Sequence, residues 1–115
     1  MLTEPLALVI SAIVEAPIAY LIVRLCRWPC RGPLHAGAAS AVATAVTHPQ
    51  FWNAVIWAAP RLGYWPSVVG GEALVVLVEG ALIAWMADLR IQRAMLVSLV
   101  ANTASCAVGL FSFFG

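Results

Sequence analysis

Residues 67–86 read SVVGGEALVVLVEGALIAWM. A helix rises about 1.5 Å per residue, so a run of this length covers the roughly 30 Å hydrocarbon core of a bilayer. Its only charged residues are Glu72 and Glu79. It lacks the strict polar and apolar alternation of a half-buried strand. Backbone groups in lipid are satisfied only within helices or closed barrels, so the stretch is expected to be a transmembrane helix.

Working outward, three further stretches have the same character. Spans are expected at about 6–23, 34–59, 67–86 and 94–114, in one membrane domain over 1–115. The second is the least apolar. The chain of 115 residues is 63% hydrophobic and only 10% charged, where a soluble domain carries about 25%. The fold class predicted is an all-α integral membrane protein. It is an antiparallel four-transmembrane-helix bundle, since short loops make successive helices neighbours, and it is kinked near Pro17 and Pro49. The start, Met1-Leu2-Thr3-Glu4-Pro5, has no basic region of a cleavable signal. It reads as a helix start with Thr3 as a cap and Pro5 in the first turn, so the first apolar segment is expected to be kept.

All six basic side chains are arginines: Arg24, Arg27, Arg31, Arg61, Arg90 and Arg93. Five lie in the first and third connections and one in the second, 60–66. By the positive-inside rule the first and third connections face the cytoplasm, which puts both termini outside. Trp28 and Trp85 then fall at the inner interface, and Trp57, Tyr64, Trp65, Phe113 and Phe114 at the outer one. The net charge of +1 gives no reason to expect nucleic acid as a partner. The bilayer is the partner expected.

Cys26 and Cys30 flank Arg27-Trp28-Pro29, where a soft metal or a palmitoyl group would fit, and free thiols at a reducing interface are the simpler reading. Ala101, Ser105 and Gly109 place a small residue every four positions, as do Gly37 and Ala41. That spacing lets another helix approach closely, within this chain or in a homodimer.

Four ionisable residues lie where lipid makes them costly: Glu15, His48, Glu72 and Glu79. At about 1.5 Å per residue, Glu15 lies about 15 Å and Glu79 about 18 Å from the outer ends of their spans, and Glu72 only about 8 Å. His48 and Asn102 fall mid-span. Glu72 and Glu79 share one helical face. Ser98, Asn102 and Ser105 share another, and Thr44 and Thr47 cluster with His48. Each helix thus brings a polar stripe, and the bundle interior is where four such stripes belong. That interior would hold three carboxyls and no lysine or arginine. Buried carboxylates without a counter-ion are not tolerable, so some carry a proton or a cation sits among them. His48 offers a positive charge or a ligand nitrogen, and Asn102 a neutral coordinating group. Pro17 and Pro49 leave the Ile13 and Ala45 carbonyls without their helical partners, as in midplane cation sites built on broken helices. Gln50 and Asn53 either line a wet path outward from His48 or cap a helix restarting after Pro49.

The function expected is a transporter or channel-like protein that binds or translocates a proton or small cation. Its binding residues are Glu15, Thr44, His48, Glu72, Glu79, Ser98, Asn102 and Ser105. A bound cation is the one cofactor in view, with Glu15, His48 and Glu79 as candidate metal ligands. Two alternatives stay open. The midplane Glu, His and Asn resemble glutamate-dependent intramembrane proteases of the prenyl-protein-processing type. That likeness implies a glutamate, Glu15 or Glu79, activating water and His48 stabilising an oxyanion. Those enzymes carry adjacent paired glutamates, which this sequence lacks. The other alternative is a non-catalytic subunit of a larger membrane complex, which the small extramembrane mass suits.

Overall fold

The computed structural model describes the backbone of residues 4–114 and the side-chain surroundings of residues 5–108. The described chain is all helical: α1 Glu4–Cys26, α2 Pro33–Leu62, α3 Tyr64–Ala87 and α4 Ile91–Phe114. Pro5 sits in the first turn of α1, where its missing N–H costs nothing. Thr3, the expected cap, lies outside the described residues, as do the surroundings of Gly109, Phe113 and Phe114.

Three helices are long and apolar enough to cross a membrane, over Pro5–Cys26, Tyr64–Ala87 and Ile91–Val108. This is the character of a membrane protein. The second helix is long enough, with 30 residues, but is not among the three. Ser40, Thr44, Thr47, His48, Gln50 and Asn53 dilute its apolar content.

Two local expectations are corrected. The second connection is not a turn over 60–66. α2 continues through Pro60 to Leu62, and α3 begins at Tyr64, so Gly63 alone joins them. Pro66 falls in the first turn of α3, where proline is tolerated. Gly63 has φ +93°, a conformation that side chains resist, so glycine is the residue that makes so short a junction. Second, α2 does not restart at Pro49. Both α1 and α2 run through their internal prolines as continuous helices.

Each helix packs against two others: α1 and α3 each lie against both α2 and α4. The first and third connections meet at one end. Arg31 N–H donates to the Ala87 carbonyl at 2.8 Å, and the Arg93 guanidinium lies 5.4 Å from the centre of the Trp28 ring. Asp88 ends α3 in the left-handed conformation, with its N–H returned to the Ala84 carbonyl. The tight core gathers here, from Ala19, Val23, Ala36, Ala39, Ile83, Ala87, Leu89, Ala94 and Val97. Small side chains let backbones approach. A Cβ on Gly37 would stand 3.2 Å from the Ala16 carbonyl oxygen, and one on Gly80 would stand 3.3 Å from Met95 Cα.

Candidate functional site

The four helices separate toward the Gly63 end and enclose a cavity of about 490 Å³. It runs from Glu15 and Glu79 up to Tyr64 and Trp65, beside Gly63. Glu15 and Ser11 enter it from α1, Thr44, Thr47 and His48 from α2, Glu72 and Glu79 from α3, and Asn102 and Ser105 from α4. No lysine or arginine lines it. Of the eight binding residues expected from sequence, seven therefore meet on one cavity. Ser98 is the exception. It lies a turn from Asn102, and its hydroxyl donates across to the Val76 carbonyl at 2.8 Å.

Glu79 is the organising residue. It is buried, and each carboxyl oxygen has a partner. Asn102 Nδ2 donates to Oε2 at 2.8 Å and also lies 2.9 Å from the Ser98 carbonyl. The Thr47 hydroxyl lies 2.6 Å from Glu79 Oε1 and 2.9 Å from the Ala43 carbonyl. A hydroxyl has a single hydrogen, so it cannot donate to both oxygens. The Thr47 hydroxyl therefore serves Glu79 or the Ala43 carbonyl, one at a time. Three helices thus converge on one carboxyl: α2 through Thr47, α3 through Glu79 itself and α4 through Asn102.

Glu15, from α1, is 2% exposed and lies beside Glu79 and Thr44. Although the two groups lie beside one another, neither Glu15 Oε1 nor the buried Thr44 hydroxyl makes a well-formed hydrogen bond among the described residues. The bottom of the cavity therefore holds one satisfied carboxyl beside one with a vacant acceptor. Glu72 is less buried and lies nearly two helical turns along α3 from Glu79, toward the Gly63 end. Ser105 donates to Ser11 Oγ at 3.0 Å, tying α4 to α1.

His48 lines the same cavity but packs on aromatic rings, stacked at 6.1 Å on Trp52 and edge-on at 6.4 Å to Phe51. Among the described residues, no group of three or more histidine, cysteine, aspartate and glutamate side chains is arranged to hold a metal ion. Gln50 and Asn53 are exposed and do not line the cavity. On a helix, positions 48, 51, 52 and 55 share a face, and 50 and 53 fall off it. The wet path expected beside them is therefore absent from this face, and with α2 unbroken they cap nothing.

The walls are built from residues that were not among those expected from sequence. Phe51, Trp52, Tyr64 and Trp65 line the cavity. The first two continue the face of Thr44 and His48 at helical spacing, a signal present in the sequence. Tyr64 and Trp65 read as interfacial anchors, and nothing local distinguishes an anchor from a cavity wall. The small-residue stripe of α4 is used within the chain: Ala101 is buried and Ser105 bonds Ser11. Gly37 likewise meets α1. Comparison with protein-family models, curated proteins and solved structures finds no match to this chain.

Proposed function

We propose that this protein is a multi-pass membrane protein that binds or translocates a proton or small cation at the Glu15–Glu79 pair. The observation that carries the reading is two buried glutamates, from α1 and α3, at the closed end of one cavity that contains no lysine or arginine. Two neighbouring carboxylates without a counter-ion are not stable in a low dielectric, so the pair must hold protons or a cation. Thr44, Thr47 and Asn102 supply the polar contacts, and Glu72 and His48 lie on the way to them. In this reading all four helices cross the bilayer in antiparallel order. The polar residues of α2 are accommodated because they face the cavity rather than lipid. The five arginines in and beside the first and third connections face the cytoplasm, so the hollow end opens outside.

Infrared spectroscopy of the protein in lipid tests the site. A protonated carboxyl band is expected at neutral pH in the unmodified chain, weakened in at least one of Glu15→Gln and Glu79→Gln. In proteoliposomes, either substitution should abolish proton or cation flux while preserving the fold, because glutamine mimics the protonated acid. Glu72→Gln should act more mildly. Ionised glutamates at neutral pH with no cation bound would sink the reading. For the orientation, a cysteine at Arg61, in a chain whose own cysteines are serine, should react with an impermeant reagent from outside only. Reaction only from the cytoplasm would reverse the topology.

A further inference from the structure

We infer that the cavity takes a protonated primary amine carried on a small apolar body, its N–H groups donating to Glu15 Oε1 and Thr44 Oγ1. This rests on the reading above, that the carboxyl pair exchanges a proton for a cation, and it names the cation. Two features lead to it. The first is the pair of vacant acceptors. Glu15 is 2% and Thr44 1% exposed, both line the cavity, and among the described residues neither Glu15 Oε1 nor Thr44 Oγ1 makes a well-formed hydrogen bond. A buried oxygen without a hydrogen bond is costly, and an N–H donor arriving with positive charge answers both the vacancy and the charge.

The second feature is the volume. At about 490 Å³ the cavity lies within the range of small-molecule sites, roughly 300–1,000 Å³, far beyond what a proton or bare ion occupies. Its upper walls are Ile10, Val55, Val68 and Val75, with the rings of Trp52 and Trp65 toward the Gly63 end. Such walls match an apolar body rather than a hydrated one, and the rings also favour a cation passing across their faces. A bare metal ion finds no group of three ligating side chains among the described residues. A quaternary ammonium would bring charge but no N–H, leaving both oxygens unpaired. Sites built to hydrogen-bond a donor reject analogues that lack it. Binding is an exchange: the Glu15 proton leaves to solvent as the ammonium takes its place, so net charge in the cavity is conserved.

The full chain in lipid nanodiscs is titrated with 2-phenylethylammonium, with its N,N,N-trimethyl counterpart and with neutral 2-phenylethanol. Tryptophan fluorescence and calorimetry in buffers of different ionisation enthalpy are the readouts. Saturable binding of the primary amine is expected, at least tenfold tighter than either analogue, with proton release and with affinity falling as pH is lowered. Glu15→Gln should weaken it at least tenfold. Thr44→Val, which keeps shape and removes only the hydroxyl, should narrow the preference over the trimethyl analogue. Equal or tighter binding of the trimethyl compound or the alcohol overturns the proposal. If none of the three binds while the carboxyl infrared band still responds to pH and weakens in Glu15→Gln, the amine is wrong and the proton site stands. If that band is also absent, both fail.

Discussion

The two ends of this molecule are built from the same four helices and differ in what fills the space between them. At the arginine end, Ala19, Ala36, Ala39, Ala87 and Ala94 meet, and the helices close on a dry core. Toward Gly63, the facing positions carry Phe51, Trp52, Tyr64 and Trp65, and the helices enclose a cavity. Side-chain size sets the spacing. Alanines let backbones come into contact, and large rings, attached at the walls, hold the helices apart without filling the centre. The polar residues sit at the boundary. Glu79 follows Leu77 and Val78 and immediately precedes Gly80, which is closely packed against Met95. The carboxyls therefore lie where the cavity stops, with a sealed bundle behind them. The cavity thus leads to the Gly63 end and not to the alanine end.

The sharpest way to break this contrast is to put the same extra volume at each end. Ala94→Leu inserts three carbons where the structure has no room and should cost about 3 kcal/mol. Ala7→Leu points the same atoms into the cavity and should leave stability nearly unchanged while reducing ligand binding. Reversible unfolding in mixed detergent, followed by circular dichroism, measures both. Equal costs would mean that the two ends are packed alike. A smaller effect tests the boundary itself. Asn102→Leu removes the donor to Glu79 Oε2 and leaves a buried acceptor unpaired, at a cost of about 2 kcal/mol. A loss no larger than that of Ser105→Ala would assign Asn102 to packing alone. The smallest effect is on the α1–α4 contact within the hollow half. Ser105→Ala removes the bond to Ser11 and should cost about 0.6 kcal/mol, typical of hydrogen bonds between membrane helices. Ala107→Leu, on the exposed face of the same helix, should change stability by less than about 0.5 kcal/mol. If Ala107→Leu is the more damaging, the outer face of α4 is covered by something other than lipid.

Helix existence was legible because length and apolar content are local properties. Residues 6–23, 67–86 and most of 94–114 carry them without help from any other part of the chain. The polar residues of the site were legible for a related reason. An ionisable group in an apolar span has few places to go, and the helical phase of Glu72 with Glu79, or of Thr44 with His48, follows from sequence spacing alone. The helix ends were not legible. Pro60 and Pro66 read as one long turn, and only the left-handed Gly63 shows how both prolines fit within helix termini. The role of each carboxyl was not legible either. Glu15 and Glu79 look alike in sequence, but Thr47 and Asn102 reach only Glu79, and Glu15 keeps its vacant acceptor. Hydrogen bonds form between residues 23 and 32 positions apart here, and helix rotation and height decide which partners meet. The cavity belongs to the same class. A void is a property of four surfaces at once, and no single helix encodes it. What the sequence determines is therefore the solvent, the helices and the polar faces, all set by local composition and period. Which carboxyl is satisfied, where the bundle seals and what volume remains open are decided only when the four faces are brought together.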